Sequence, residues 1–272
     1  MLRKVDVVTR RGTTLSLDLF ENDSGYQVEV DGLDPVKAEM SSSPYVGTDG
    51  EEFQSARRGP RQIKLKFDLQ PDFVMNTFAT LRRNLYDYLM PKSAVKLRFH
   101  LDTGLYVDID AVVEDHSSPM ASEDPEVEVI LRCFKPDLID PNMVNLAGST
   151  VSTSTVTEIN YPGSVETGLV VILNVNRNLA GFTIYNNVEE GVLSQLDFSY
   201  PLINGDQLVV SSLKGSKGIT LTRSGVSSSV LYGRSAQSSW IELSRGINEF
   251  RVYAPGDPVP YTLQYLVRYG GL

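Results

Sequence analysis

Asp108 and Asp110 stand two residues apart in an apolar run from Tyr106 to Val113. On a strand that spacing puts both carboxylates on one face, about 6.6 Å apart. Paired acids at such a range can hydrolyse glycosides, and the same pair also decorates the wet face of an ordinary strand. No second constellation accompanies it. Glu123, Asp124, Glu126 and Glu128 gather around Pro125, but without the ligand pattern or central glycine of an EF-hand, so solvated loop charge accounts for them. His100 and His116 are the chain's two histidines and are not at metal-ligand spacing, so we read them as surface or interface residues. The single cysteine, Cys133, excludes a disulfide within the chain and a multi-cysteine zinc site, and reads as a small buried residue. Gly215-Ser216-Lys217-Gly218 lacks the Gly-Lys-Ser/Thr ending of a phosphate loop, and no Gly-x-Ser-x-Gly elbow occurs. The expectation is no catalytic residue, no metal, no cofactor and no enzyme.

Two further features bear on binding. Arg57, Arg58, Arg61, Lys64 and Lys66 form one basic stretch, with Lys64 and Lys66 alternating with Ile63, Leu65 and Phe67. This is either the solvated face of a strand or a face that docks an acidic surface on a neighbouring subunit. Trp240, the lone tryptophan, is either a core or interface residue or a ring on which a sugar stacks.

Bulk properties narrow the partners. The chain has 272 residues, of which 25 are Lys or Arg and 34 are Asp or Glu, for a net charge of −9. That balance argues against wrapping nucleic acid, which needs clustered positive charge. Leu169–Leu173, the longest strongly apolar stretch, is far short of the ~20 residues that span a bilayer. Met1–Gly12 carries four basic residues and no apolar segment follows, so no secretory signal is read there. We expect synthesis in the cytoplasm without membrane insertion.

Elements must position these residues. Leu15, Leu17 and Leu19 alternate with polar residues, as do Tyr26, Val28 and Val30 after the turn cluster Asn22-Asp23-Ser24-Gly25; together they read as a β-hairpin. Ser41–Pro60 is polar, rich in Gly and Pro and without sustained periodicity, a long loop of the kind ordered by a partner. A helix follows, with Pro71 in its first turn, Asp72 at its positive end, a stripe of Val74, Phe78, Leu81, Leu85 and Leu89, and Pro91 as its stop. Strands resume at Val95–Leu101, Tyr106–Val113 and Val127–Cys133. Between Pro136 and Glu158 the composition shifts, ending in the Ser149–Thr155 run, which is a domain boundary or an extended edge strand. Beyond it, short apolar runs recur without a helical pattern, as in a β-sandwich or barrel.

The order of motifs adds a resemblance. Gly32-Leu33-Asp34-Pro35, the loop with Asp49-Gly50, Arg61–Leu65, the helix with Leu81–Leu85 and the closing Leu131–Asp137 come in sequence. Tyr161-Pro162-Gly163, the Gly-Asp turn in Leu202–Val210, the Gly-x-Asn turn in Leu243–Phe250 and Tyr265–Tyr269 follow. This order resembles the distal tail proteins of long-tailed, non-contractile bacteriophages. The resemblance implies a mostly β chain: an α+β ring-forming domain with one helix over residues 1–138, a linker over 139–157 and a galectin-like β-sandwich over 158–272. It implies a homohexameric ring in the virion's tail tip, joining tail tube protein to baseplate hub, next to the tape measure protein. Such a ring can anchor receptor-binding proteins, and DNA crosses it only in transit. The second half holds no histidine, so it does not rebuild the polar cluster of a galectin, and the length leaves no room for an inserted carbohydrate module. A carbohydrate-binding adhesin using Trp240 is the alternative reading.

Overall fold

The computed structural model describes residues 1–20, 24–45, 47, 49–72, 74, 76–119, 126–188 and 193–272. Asn22, Asp23, Glu123, Asp124 and Pro125, named above, lie outside the described residues. The chain is mostly β and divides into two compact units, Met1–Asp140 with Gly270–Leu272, and Pro141–Tyr269.

Unit 1 contains β1 (Leu2–Thr9), β2 (Thr14–Asp18), β3 (Tyr26–Asp31), β4 (Ala38–Pro44), β5 (Glu51–Arg58), β6 (Arg61–Leu69), α1 (Phe78–Leu89), β7 (Ala94–Leu101), β8 (Tyr106–Ser117), β9 (Glu126–Cys133) and β10 (Leu138–Ile139). Its main sheet runs β2-β1-β7-β8-β9-β6-β3, with every neighbour antiparallel. β10 adds one pairing to β8, Ile139 opposite Asp108. The end strands β2 and β3 approach each other, so the sheet is strongly rolled. Alternation explains its core. Ile63, Leu65 and Phe67 on β6, Leu97 and Phe99 on β7, and Val127, Val129, Leu131 and Cys133 on β9 are all fully buried. Each large apolar side chain so buried contributes about 1.5–3 kcal/mol.

The expected hairpin of Leu15–Leu19 with Tyr26–Val30 does not form. β2 pairs with β1 through a tight turn at Gly12 (φ +83°), and β3 pairs with β6 at the far end of the sheet path. The short β1–β2 connection closes at a smaller entropic cost, and β1 itself carries an apolar alternation, Val5 and Val7, hidden among charged residues.

The helix also starts later than Pro71. Thr77 is its N-cap, accepting from the Thr80 amide, while the Thr80 hydroxyl accepts from the Thr77 amide. Asp72 instead accepts from the Val74 and Asn76 amides in a turn ahead of the helix, and Val74 is 90% exposed. The buried stripe is Leu81, Leu85 and Leu89. Met90 is already extended (ψ 138°), the conformation that a following proline imposes. The Tyr26 hydroxyl donates to the Leu81 carbonyl and accepts from the Asn84 amide group, tying β3 to the helix.

Unit 2 is a two-sheet sandwich around one core. One sheet runs β11 (Val144–Ser149), β22 (Pro260–Tyr265), β14 (Val170–Asn174), β17 (Gln207–Ser211), β18 (Gly218–Arg223), β19 (Val226–Ser229). The other runs β12 (Thr157–Tyr161), β21 (Gly246–Tyr253), β15 (Leu179–Val188), β16 (Leu193–Leu202), and β13 (Thr167–Gly168) pairs with β20 (Glu242–Leu243). Inward-facing residues of both sheets, among them Val171, Leu173, Ile184 and Leu196, are fully buried in the shared core. The stretch 139–157, read as a linker, contains β11, which pairs along its whole length with β22.

Two turns seen in the sequence are polar anchors. Asn248 is fully buried; its amide group donates to the Ser244, Gly246 and Ile159 carbonyls, and its oxygen accepts from the Ser244 amide and the Asn186 side chain. Gly205 (φ +91°) turns the chain so that Asp206 accepts from the Ile203 amide and from Arg223. The Arg223 hydrogen bonds hold the Asp206 carboxyl below its ordinary pKa.

Asn248→Ala leaves buried backbone groups without partners and is expected to cost about 3 kcal/mol, read from denaturant unfolding. Because the Asp206 pKa is lowered on folding, its contribution is complete above the unfolded value of about 4 and is lost as pH falls through the folded one. The gap in melting temperature between the parent and Asp206→Asn should therefore be widest at neutral pH and shrink below pH ~4.

Candidate functional site

The basic stretch lies at the root of a feature that the sequence reading missed. Ser41–Pro60 is not a loop. β4 and β5 form a separate two-stranded hairpin, paired from Ala38 opposite Arg58 to Pro44 opposite Glu51. All of β5 is exposed and most of β4, with Met40 74%, Tyr45 51% and Phe53 64% exposed. A lone two-stranded hairpin is marginally stable in water. This one has no buried face of its own, which is why no apolar alternation announced it. Asp49-Gly50 between two polar runs was the available signal, with Gly50 at φ +112°.

The basic residues divide by position. Arg57 pairs with Glu39 across the hairpin at 2.7 Å, both exposed. Arg58 pairs with Asp137 at 2.6 Å. Lys64 reaches Glu128 at 2.7 Å, and Lys66 lies 4.0 Å from Glu29 on the neighbouring strand. The Arg57, Lys64 and Lys66 pairs are exposed and worth about 0–1 kcal/mol each, whereas the Asp137 carboxylate is largely buried.

Arg61 departs from the docking set, because it is inside. It is 1% exposed, and its guanidinium donates to four carbonyls: Pro136 (2.9 Å), Gly32 (2.7 Å), Asp34 (2.8 Å) and Gly270 (2.6 Å). Burial pulls its pKa down from the ordinary arginine value, while the neighbouring Cys133 and Asp137 act in the opposite direction. One side chain thus ties the strand leading out of the hairpin, the segment after β9 and the returning C-terminal segment. Gly32 makes the approach possible, since a Cβ there would stand 2.1 Å from the Gln62 carbonyl oxygen, and its φ is +90°.

The remaining candidates are placed as follows. Asp108 is buried and held by Arg98 through two hydrogen bonds of 2.7 and 2.9 Å, while Asp110 is exposed opposite Lys96. The Asp108 bonds raise the Arg98 pKa. A carboxylate locked this way is poorly disposed to serve as nucleophile or proton donor. His100 bonds Asp6 at 2.8 Å, and His116 bonds the Leu89 carbonyl at 2.9 Å. Cys133 is fully buried and its thiol is pushed up to about 12 by burial. Trp240 is half-buried against the unit 2 core, and the Arg234 guanidinium lies over its ring at 5.2 Å, where a sugar face would stack. Among the described residues no three His, Cys, Asp or Glu gather in a way that could hold a metal ion, and no helix is long and apolar enough to cross a membrane.

This arrangement, a rolled antiparallel sheet with one helix and a projecting hairpin and then a two-sheet sandwich, has a counterpart among solved structures. The chain shares its fold with the Dit protein of phage SPP1, a paradigm of the hub adsorption apparatus in phages infecting Gram-positive bacteria, at 16% identity and a TM-score of 0.66, over 97% of this chain and 98% of that one. Chains from the phage P2 baseplate, activated with calcium or strontium, align at 9% and 8% identity with TM-scores of 0.46 and 0.44, over 100% and 97% of this chain and 100% and 98% of theirs. No family model and no curated protein matches the sequence.

The two kinds of arginine should separate on substitution. Arg61→Met is expected to lower stability by about 3–5 kcal/mol, because four carbonyls lose their buried donor, and Arg57→Ala by about 0.5 kcal/mol or less, both read by denaturant unfolding.

Proposed function

We propose that this chain is a structural protein of a phage tail tip, forming a homohexameric ring that joins the tail tube protein to the baseplate hub. The observation that carries the reading is the fold, shared over nearly the whole chain with a phage hub protein. The hairpin supports it: a ribbon wet on both faces, with Met40, Tyr45 and Phe53 exposed, is what a segment ordered by an adjoining subunit looks like. A ring needs one surface of each copy to meet a different surface of the next, with a rotation that closes. An acidic chain suits a passage that DNA crosses without sticking, within the ~8–10 Å over which charge is felt. In this reading the role is mechanical rather than enzymatic, the site of action is the virion, the tape measure protein is a neighbour in assembly, and the galectin-like sandwich is a docking module that can carry receptor-binding proteins.

Replacing Ser41–Arg57 by a short Gly-Ser turn should abolish the ring while the monomer keeps its melting temperature. Native mass measurement and negative-stain imaging read the outcome. Unchanged assembly of the shortened chain would refute the role of the hairpin, and a parent chain that stays monomeric beside tube and hub proteins would refute the ring.

A further inference from the structure

The hairpin's end and one recess of unit 1 are opposites in charge and alike in apolar character. Around the turn, Asp49, Glu51 and Glu52 are all exposed. Strand alternation puts Glu51 with Phe53 on one face of the ribbon and Glu52 on the other, and the exposed Tyr45 ring follows β4 directly at the turn, so acids and aromatic rings share the hairpin's end. The Tyr45 amide donates to the Gly50 carbonyl and closes the turn at 3.3 Å, and Glu51 accepts from Ser42 across the ribbon. No partner for Asp49 or Glu52 appears among the described residues.

The recess lies on the outer face of β1, β7 and β8. Its volume is about 540 Å³. Val8, Ala94 and Val112 contribute apolar surface, Phe134 stands 69% exposed beside them, and Arg10, Lys96 and Lys135 supply positive charge against the one acid, Asp110. Lys96 stands opposite Asp110 on the β7–β8 ladder and lies 3.9 Å from the Asp108 carboxylate, whereas Arg10 and Lys135 have no ion pair among the described residues. In a chain of net charge −9 this is a basic, apolar pocket with two unspent cations. Complementary charge of this kind sets register between subunits.

We infer that the acidic-aromatic tip of the hairpin of one copy seats in the β1–β7–β8 recess of the next copy, with Glu51 and Glu52 meeting Arg10 and Lys135, and Tyr45 or Phe53 packing on Phe134. The two surfaces are different patches of one chain, so the contact is head-to-tail and propagates around a ring. The inference rests on the ring reading above and names the seat that the reading leaves open. It also moves the docking role from the basic run at the hairpin's root, whose cations are paired within the chain, to the recess.

The experiment is a charge exchange in the full chain. Glu51→Lys with Glu52→Lys, and separately Arg10→Glu with Lys135→Glu, are each expected to raise the concentration for half-assembly by at least ~tenfold, and combining all four should restore it to within ~threefold. The substituted residues are exposed, so the monomer fold is not at stake. A second measurement uses thiols: mixing Glu52→Cys chains with Lys135→Cys chains under a mild added oxidant, such as oxidised glutathione that accepts the two electrons, should give a disulfide-linked heterodimer that neither variant forms alone. Cys133, fully buried with a raised pKa, does not compete. Reversed variants that assemble like the parent, or thiols that fail to link while the parent assembles, overturn the seat and leave the ring standing. A parent that remains monomeric, with no linkage, overturns both.

Discussion

The root of the projecting hairpin in unit 1 is fixed by the buried guanidinium of Arg61. Four carbonyls converge on it, from Gly32, Asp34, Pro136 and Gly270, and none of them lies in a regular strand. Only arginine can do this, because its planar fork offers donors in several directions at once and it stays charged when buried. The desolvation cost of that charge is offset by the carbonyl dipoles aimed at it. The result is a fixed root from which the β4–β5 hairpin leaves the sheet.

That fixed root explains how a ribbon with no core of its own can project in a defined direction. Its strands are held to each other by backbone hydrogen bonds, and its base is held by Arg61, Gly32 and the Arg58–Asp137 pair. The main sheet needs nothing from it: the buried alternation of β6, β7, β8 and β9 closes without any hairpin side chain. The core of the unit and the exposed surface of the hairpin are therefore made by separate sets of residues. Unit 2 repeats the logic at smaller scale, with Asn248 and Asp206 fixing turns between strands whose apolar faces make the core.

Legibility in the sequence followed burial. β7, β8 and β9 and most strands of unit 2 were readable because one face of each is dry and the other wet. β1 was not, since its two buried valines sit among charges, and the hairpin was not, since neither of its faces is dry. The helix itself is legible from its apolar stripe, but Pro71 and Asp72 imitate its start, while the true cap is the threonine pair Thr77 and Thr80. Pairing partners were beyond the pattern, as the β2–β3 misreading shows, because alternation tells which face is inward and not which strand lies alongside. Sequence proximity places Arg61 among its basic neighbours; its separation from them depends on carbonyls up to 209 residues away.

The last of those carbonyls sets an order in time. Gly32, Asp34 and Pro136 leave the ribosome before any of unit 2 is made, and Gly270 follows after all of it. Domains generally fold as they emerge. Until Gly270 arrives, the guanidinium is one acceptor short, and the hairpin's root is held less firmly. A chain cut short within unit 2 lacks that acceptor permanently, so a residue far along the chain sets how firmly the hairpin's base is held.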